Sequence, residues 1–348
     1  MTGHSPCDIL KYIICMLSEK GTLMKQAKLL SLVLAVLFCA LSFVSCNGNK
    51  REVMEIDGNS VTYEVYRYVC VNSRRDVEAE YGTDVWESDK ADEAEDVLES
   101  TVKKNLAALY TVCSLGRDYG IEWDDDSIEA AVKLARNELV DEYESEDEFS
   151  SALEEMAMTD GAFTFIKSNE LLIDELYLKI AYSDEKNSDA EYLRELFHSD
   201  SFIRVKQILV GGENAGTDEQ NLEIITSIKE KLDRGEDFDA LCREYNNDLY
   251  MFNNDDGYYI TRGSRDLAFE DAAFSLEVGE TSDIVKTESG YSIIKRYEKD
   301  ESYIEENTAS LTDEYFESLY TAAYEKKYAA VLGSMPSLPD DINIIEIK

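Results

Sequence analysis

Apolar positions keep a helical period over most of the stretch from Thr62 to His198 and give way to short β-rich runs near Phe202. Residues 52–57 alternate polar and apolar like a strand, and Asp57-Gly58 supplies a turn. From Thr62 the spacing becomes three and four, so Val65, Tyr66, Val69 and Cys70 share one helical face until Tyr81-Gly82 ends it. A longer amphipathic helix is predicted through Val97, Leu98, Val102, Leu106, Leu109, Tyr110 and Cys113, closing at 116–120. Asp124-Asp125-Asp126-Ser127 then reads as the cap of a third helix, which turns Ile128, Val132, Ala135, Leu139 and Val140 inward. Carboxylates suit the electropositive end of a helix, so the acidic triplet is read as a cap and not as a metal site. Further helical segments are predicted at 149–156, 162–182 and 188–198.

After Phe202 the chain is predicted to run as a strand over 202–210, ended by Gly211-Gly212. A helix follows over 218–234 through Leu222, Ile225, Ile228 and Leu232, then a short one carrying Phe238, Leu241, Cys242 and Tyr245. A polar loop leads to the strand Tyr258-Tyr259-Ile260, a helix over 267–276, and closing strands at 284–286 and 291–297. The order β-α-α-β-α-β-β describes a compact α+β domain. The chain ends in an amphipathic helix with Leu311, Tyr315, Leu319, Ala323 and Leu332 on one face, and a β-like tail at 342–347 beyond Pro336 and Pro339. The expected organisation is a mostly helical domain over 46–200, an α+β domain over 201–298 inserted into it, and a returning C-terminal helix and tail over 299–348.

The N-terminal stretch has another character. Lys25 and Lys28 precede an uninterrupted apolar run from Leu29 to Val44, which ends at Ser45-Cys46-Asn47-Gly48. Basic residues, an apolar stretch and small residues before a cut make a secretory signal, here over 24–45. Residues 1–23 do not fit such a signal, so translation is expected to start at Met24. Phe43-Val44-Ser45-Cys46 resembles a lipobox, with Phe43 where that pattern has leucine; the resemblance implies that Cys46 is lipidated and becomes the mature N-terminus. The alternatives are an uncleaved anchor, for which the 17 residues Leu29 to Ser45 are barely long enough, and plain secretion.

Composition narrows the function by exclusion. With 74 acids against 34 bases the formal net charge is −40, which disfavours nucleic acid and anionic bilayer surfaces as partners. Of two histidines, His4 lies before the export signal, so a mature chain with His198 alone cannot build a multi-histidine metal site. No metal and no cofactor is expected. His198 closes a predicted helix, where a positive charge is favourable. Cys70, Cys113 and Cys242 are three, widely spaced and set among apolar neighbours, so they read as core residues and not as a disulfide framework.

Several segments carry a family resemblance: Val205-Lys206-Gln207-Ile208-Leu209-Val210, Gly235-Glu236-Asp237-Phe238, Tyr245-Asn246-Asn247-Asp248, Thr261-Arg262-Gly263, Phe269-Glu270-Asp271-Ala272-Ala273-Phe274-Ser275-Leu276, Val278-Gly279-Glu280 and Gly290-Tyr291-Ser292-Ile293-Ile294-Lys295. In order and spacing, residues 202–298 resemble a parvulin-type (PpiC-type rotamase) prolyl isomerase domain, and with its flanks the chain is similar to the PrsA and SurA extracytoplasmic foldases. The resemblance implies an isomerase that needs neither nucleophile nor metal. Rotation about an X–Pro bond is opposed by amide resonance, a barrier of roughly 18–20 kcal/mol, and is accelerated by binding the twisted amide best. Parvulins use two facing histidines, an Asp or Cys beside them, and a Met/Phe-lined proline slot. Carried over position by position, Asp248 matches the acid, Phe269 the aromatic wall and Ile260 a second wall of the slot. Gln207 and Ser292 stand where the histidines would be, and Arg265 replaces the methionine.

The expected function is therefore a membrane-anchored folding factor for unfolded or newly exported polypeptides, with weak or lost isomerase activity. The alternative is a surface binding or scaffold lipoprotein that keeps the fold for protein contacts alone. Client binding is expected in a cradle of residues 50–198 and the 303–332 helix, lined by Tyr63, Tyr66, Tyr110, Tyr177, Tyr320 and Tyr324. The sequence leaves clients, oligomeric state and envelope type open.

Overall fold

The computed structural model describes residues 51–121, 125–141, 143, 145–212, 216–252 and 256–347. The export signal, Cys46, the Met24 start and Asp124 of the acidic triplet lie outside the described residues. Of the described residues, those up to Leu176 and those from Lys326 form one compact unit, and those within Tyr177–Glu325 form the other.

The first unit opens with a hairpin, β1 (Glu52–Ile56) and β2 (Asn59–Thr62), paired antiparallel with Ile56 opposite Asn59. Asp57 and Gly58 both take positive φ (46° and 75°), which matches the twist of the flanking strands in a two-residue turn. The sequence pattern shows the first strand and the turn; β2 is too short for its alternation to stand out. Helix α1 (Tyr63–Tyr81) follows at once and stops at Gly82, whose φ of 94° only glycine adopts freely. Helix α2 (Ala91–Asp118) turns Leu98, Val102 and Leu106 fully inward. Helices α3 (Asp125–Val140), α4 (Glu146–Glu155) and α5 (Asp160–Ala181) gather a second core of Val132, Phe149, Leu153 and Phe163. Arg136 lies over the Phe149 and Phe163 rings while pairing with Glu146 and Asp160.

The tail at 342–347 makes turns, not a strand. Its carbonyls meet a side chain instead of a neighbouring strand: the Arg74 guanidinium donates to the Ile345 and Ile347 oxygens at 2.7 and 2.9 Å. Tyr66, Tyr110, Tyr320 and Tyr324 are buried (at most 3% exposed), so four of the six tyrosines expected to line a groove are core residues. Their rings spend their apolar area on packing, and none is left for a partner.

In the second unit, α6 (Ala190–His198) ends at His198, whose Nδ1 lies 2.7 Å from a Glu301 carboxylate oxygen. A four-stranded antiparallel sheet follows in the order β4-β3-β6-β5, with β3 (Ile203–Gly211), β4 (Tyr258–Ile260), β5 (Val285–Thr287) and β6 (Gly290–Tyr297). Strand alternation sorts β3 onto two faces. Ile208 and Val210, with Ile293 and Tyr291 of β6, pack under α7 (Asp218–Asp233) and α8 (Phe238–Tyr245) through Ile225, Ile228, Phe238 and Leu241. Ile203 and Val205, with Tyr258, Ile260 and Ile294, form the other face. It is met by Met251 of the four-residue helix α9 (Leu249–Phe252) and by Phe269 and Ala273 of α10 (Leu267–Ser275). The α+β order expected from sequence is present, with α9 added inside the stretch read as a polar loop. Residues 301–325 of the last helix, α11 (Glu301–Gly333), close a third core through Ile304, Leu311 and Phe316. Among the described residues, no helix is long and apolar enough to cross a membrane.

Candidate functional site

On the sheet face that carries Val205 and Ile294, the next inward position of β3 is Gln207. Antiparallel register sets Gln207 opposite Ile294 and Leu209 opposite Ser292. Ser292 therefore stands diagonal to Gln207 on one face, within reach of a side-chain bond. Its hydroxyl donates to Gln207 Oε1 at 2.9 Å. The Gln207 amide is thereby oriented, and its Nε2 donates to Asp248 Oδ2 at 2.6 Å.

Asp248 is brought there by the segment after α8. Asn246 Oδ1 accepts from Leu209 N–H at 2.8 Å, and Asn247 exchanges bonds with β3 through Leu209 O and Gly211 N–H. These bonds tie the segment to β3 like a short extra strand and end at Asp248, which is 9% exposed. Its Oδ1 accepts the Tyr250 N–H at 3.1 Å, capping α9. The α9 turn also places Met251 Sδ 3.4 Å from Gln207 N–H, beneath the site.

One partner carries no mark in the sequence. Tyr258 of β4 donates its hydroxyl to Asp248 Oδ2 at 2.5 Å, so two side chains and one backbone N–H converge on this carboxylate. Burial pushes the Tyr258 phenol well above its ordinary range; nearby Arg265 opposes this and the bond to Asp248 adds to it. The phenol therefore stays protonated and remains a donor. The Tyr258 ring is covered in turn. Tyr250 stacks on it at 4.8 Å with planes 13° apart, and the Arg265 guanidinium carbon lies 4.0 Å from its centre. Arg265 is held from behind by its N–H, which donates to buried Glu270 at 2.8 Å.

The structure thus joins Gln207, Ser292 and Asp248 in one hydrogen-bonded line and adds Tyr258 and Tyr250 to it. Arg265 lies on Tyr258 at the edge of this line. Ile260 and Phe269 are 2% and 5% exposed and pack with Val205, Tyr258 and Ile294 in one core. Behind the sheet Cys242 donates its thiol to Gln207 O at 3.3 Å; burial pushes that thiol up to about 11, so it stays protonated. Among the described residues no group of histidine, cysteine and carboxylate side chains has metal-binding geometry. Chemically, the line offers a carboxylate satisfied by its own neighbours, one further amide N–H on Gln207, and an aromatic surface already covered by a cation.

Residues 202–298 match the family model of the PPIC-type PPIASE domain, a rotamase. The foldase protein PrsA of Caldanaerobacter subterraneus subsp. tengcongensis is 29% identical over 279 residues, covering 76% of this chain and 81% of that protein. The foldase protein PrsA of a Geobacillus strain is 38% identical over 130 residues, 37% of this chain and 44% of that protein. Among solved structures, a peptidylprolyl isomerase (PrsA) from Bacillus anthracis is 22% identical, covering 66% of this chain and 95% of that one, with a TM-score of 0.36.

Proposed function

We propose that this chain, a PrsA-type parvulin foldase with its PPIC-type PPIase domain at residues 202–298, assists the folding of exported polypeptides outside the cytoplasm through a degenerate isomerase site. The observation that supports degeneracy is the closure of the site on itself. Asp248 accepts from Gln207, Tyr258 and the Tyr250 backbone, and Arg265 lies on Tyr258 where the family has an apolar methionine. A proline ring must be desolvated to enter its slot, and a guanidinium held there opposes this. Gln207 and Ser292 keep the hydrogen-bonded link between the two strands but cannot change protonation state as imidazoles do. A client amide can still take the second Gln207 N–H, so binding survives where turnover falls.

The test is prolyl isomerisation by the full mature chain on a set of X–Pro peptides, beside suppression of aggregation of an unfolded protein. Turnover far below that of a two-histidine parvulin, with aggregation suppressed, is expected. Ordinary parvulin turnover sinks the degenerate-site reading. Combining Gln207→His, Ser292→His and Arg265→Met raises turnover if the remaining slot is sound.

The same reading includes anchoring by lipid on Cys46, supported by the basic-apolar-cysteine arrangement at 25–46. A Cys46→Ser chain is expected to leave the membrane fraction or to accumulate unprocessed. A membrane-bound product of mature size from that variant refutes the anchor.

A further inference from the structure

Arg262 and Arg265 stand three residues apart between β4 and α10, and each guanidinium lies on an aromatic ring. Arg262 covers Phe274 at 4.5 Å and is completed by Asp271, whose Oδ1 accepts from it at 2.6 Å. Arg265 covers Tyr258 at 4.0 Å, and among the described residues its guanidinium has neither a hydrogen bond nor an ion pair. The acids around it are engaged elsewhere. Asp266 caps α10 through the Ala268 and Phe269 N–H groups, Glu270 accepts the Arg265 backbone N–H, and Asp248 takes Gln207 and Tyr258. Burial raises the Glu314 carboxyl of α11 and the Arg265 charge opposes this, but the two form no ion pair. A guanidinium held flat on a ring keeps its N–H edge free, in a fork that fits a carboxylate with two parallel bonds.

The ground beside it is open and apolar. Leu249 and Tyr250 of α9 and Leu267 at the start of α10 are 81%, 48% and 71% exposed. Tyr250 shares the Tyr258 ring with Arg265, and Leu267 follows Arg265 by two residues, so apolar surface adjoins the guanidinium. One exposed leucine is ordinary; three such side chains beside an unpaired cation make a surface for a partner. Gln207 adds a donor, since its Nε2 keeps one N–H after bonding Asp248. A proline ring has no charge to offer Arg265. A strongly acidic segment is repelled by a chain of net charge −40, and screening confines that repulsion to about 8 Å at physiological salt. A single carboxylate between apolar neighbours answers both the cation and the apolar surface without adding to that repulsion.

We infer that this face binds an extended client segment carrying one aspartate or glutamate between apolar residues. The side-chain carboxylate sits on Arg265, in the place where the family holds a proline ring. Its apolar neighbours lie on Leu249, Tyr250 and Leu267, and a main-chain carbonyl accepts from Gln207 Nε2. The inference rests on the folding-factor reading for the occupant being a polypeptide; the acid in place of proline comes from Arg265 alone.

The experiment titrates the full mature chain at physiological salt with three amidated pentapeptides, acetyl-Ala-Leu-(centre)-Leu-Ala, whose central residue is glutamate, glutamine or proline. A fourth has central glutamine and a free C-terminal carboxylate. NMR follows the Arg265 Nε–H and the Gln207 side-chain amide. The glutamate peptide is expected to shift both groups and to bind about fivefold tighter than the other three, the upper end for an exposed ion pair. Arg265→Met removes that preference, and Arg265→Lys keeps part of it, because the charge stays while the fork is lost. Arg265 is exposed, so both variants should fold; if the first does not, Arg265→Lys alone carries the comparison. Equal binding of the glutamate and glutamine peptides, or tighter binding of the proline peptide, overturns the inference. So does a preference that persists in a folded Arg265→Met chain, or at full strength in Arg265→Lys. Tightening by the free C-terminus to match glutamate also overturns it, and assigns Arg265 to chain ends. In each of these cases aggregation suppression by the wild-type chain leaves the folding-factor reading standing. If the glutamate preference depends on Arg265 while the wild-type chain suppresses no aggregation, the carboxylate site holds and the folding-factor reading fails.

Discussion

Replacing Tyr258 by Phe removes one hydroxyl from the centre of the site and nothing else. The ring keeps its stacking on Tyr250 and its cover by Arg265, since both contacts are made to the ring and not to the oxygen. What is lost is a 2.5 Å bond to Asp248 Oδ2, a hydrogen bond to a charged acceptor. Such bonds contribute about 1.5–3 kcal/mol, against about 1 kcal/mol for a neutral pair. Asp248 keeps Gln207 Nε2 and the Tyr250 N–H, so the buried carboxylate is weakened but not stranded. The site joins β3 to β4 and to the segment after α8, so the loss should appear as easier opening of β3. Hydrogen exchange of the β3 amides reads that opening free energy directly. At about 1.4 kcal/mol per decade, protection should fall roughly 10- to 100-fold. The same change made in an Asp248→Asn chain should cost far less, because the charged acceptor is already gone; a coupling of about 1 kcal/mol or more is expected for residues in one network. Equal costs in both backgrounds, or a cost below about 0.5 kcal/mol, would refute the assignment of Tyr258 as an anchor of Asp248.

Three further outcomes are expected. Asp239 is partly buried, which raises its carboxyl, but bonds from Tyr297 and Lys206 and the charges of Lys206 and Lys295 outweigh this and hold it below the usual carboxylate range. A depressed folded-state value contributes stability above the unfolded-state value near 3.9 and loses it as pH falls through the folded one, so Asp239→Asn should flatten the acid limb of the stability profile below about pH 4 while leaving its shape near neutrality unchanged. Burial pushes the thiols of Cys70, Cys113 and Cys242 up to about 12, 11 and 11, so native chains should resist iodoacetamide at pH 8 and react fully in denaturant; rapid native labelling read by mass spectrometry would contradict that. Gly211 faces Gly290 across β3 and β6, and a Cβ there would stand 2.0 Å from the Ser289 carbonyl oxygen, so Gly211→Ala should cost about 1–3 kcal/mol by urea unfolding, whereas an unchanged midpoint would show that the two strands can part freely.

Most elements are legible in the sequence because each announces itself locally. The spacing of Leu98, Val102 and Leu106 is helical whatever packs against it, and Asp57-Gly58 can make the two left-handed residues a tight hairpin turn needs. Elements too short to show a period are not legible in this way: β2 has four residues, and α9 has four inside a polar stretch. The β-like tail at 342–347 misleads for the opposite reason. Its alternation is real, but a strand needs a neighbouring edge, and Arg74 takes those carbonyls.

The candidate site divides along the same line. Gln207, Asp248 and Ser292 are marked by family resemblance at their positions, and strand alternation says that Gln207 shares a face with Val205. That Ser292 meets Gln207 across 85 residues follows from the β3–β6 register, which no local pattern sets. Tyr258 reads in sequence only as one aromatic residue of a three-residue strand; its bond to Asp248 exists because the segment after α8 and β4 are both held on the edge of β3 that faces away from β6, the first at Leu209 and Gly211 and the second at 203–205. The tyrosines give the same lesson in reverse, since an exposed groove and a filled core ask for the same residue type. Composition, period and turn chemistry act between near neighbours and are written into the chain. Which distant polar groups satisfy one another, and which apolar rings find cover, depends on how the elements pack, and that only the tertiary structure decides.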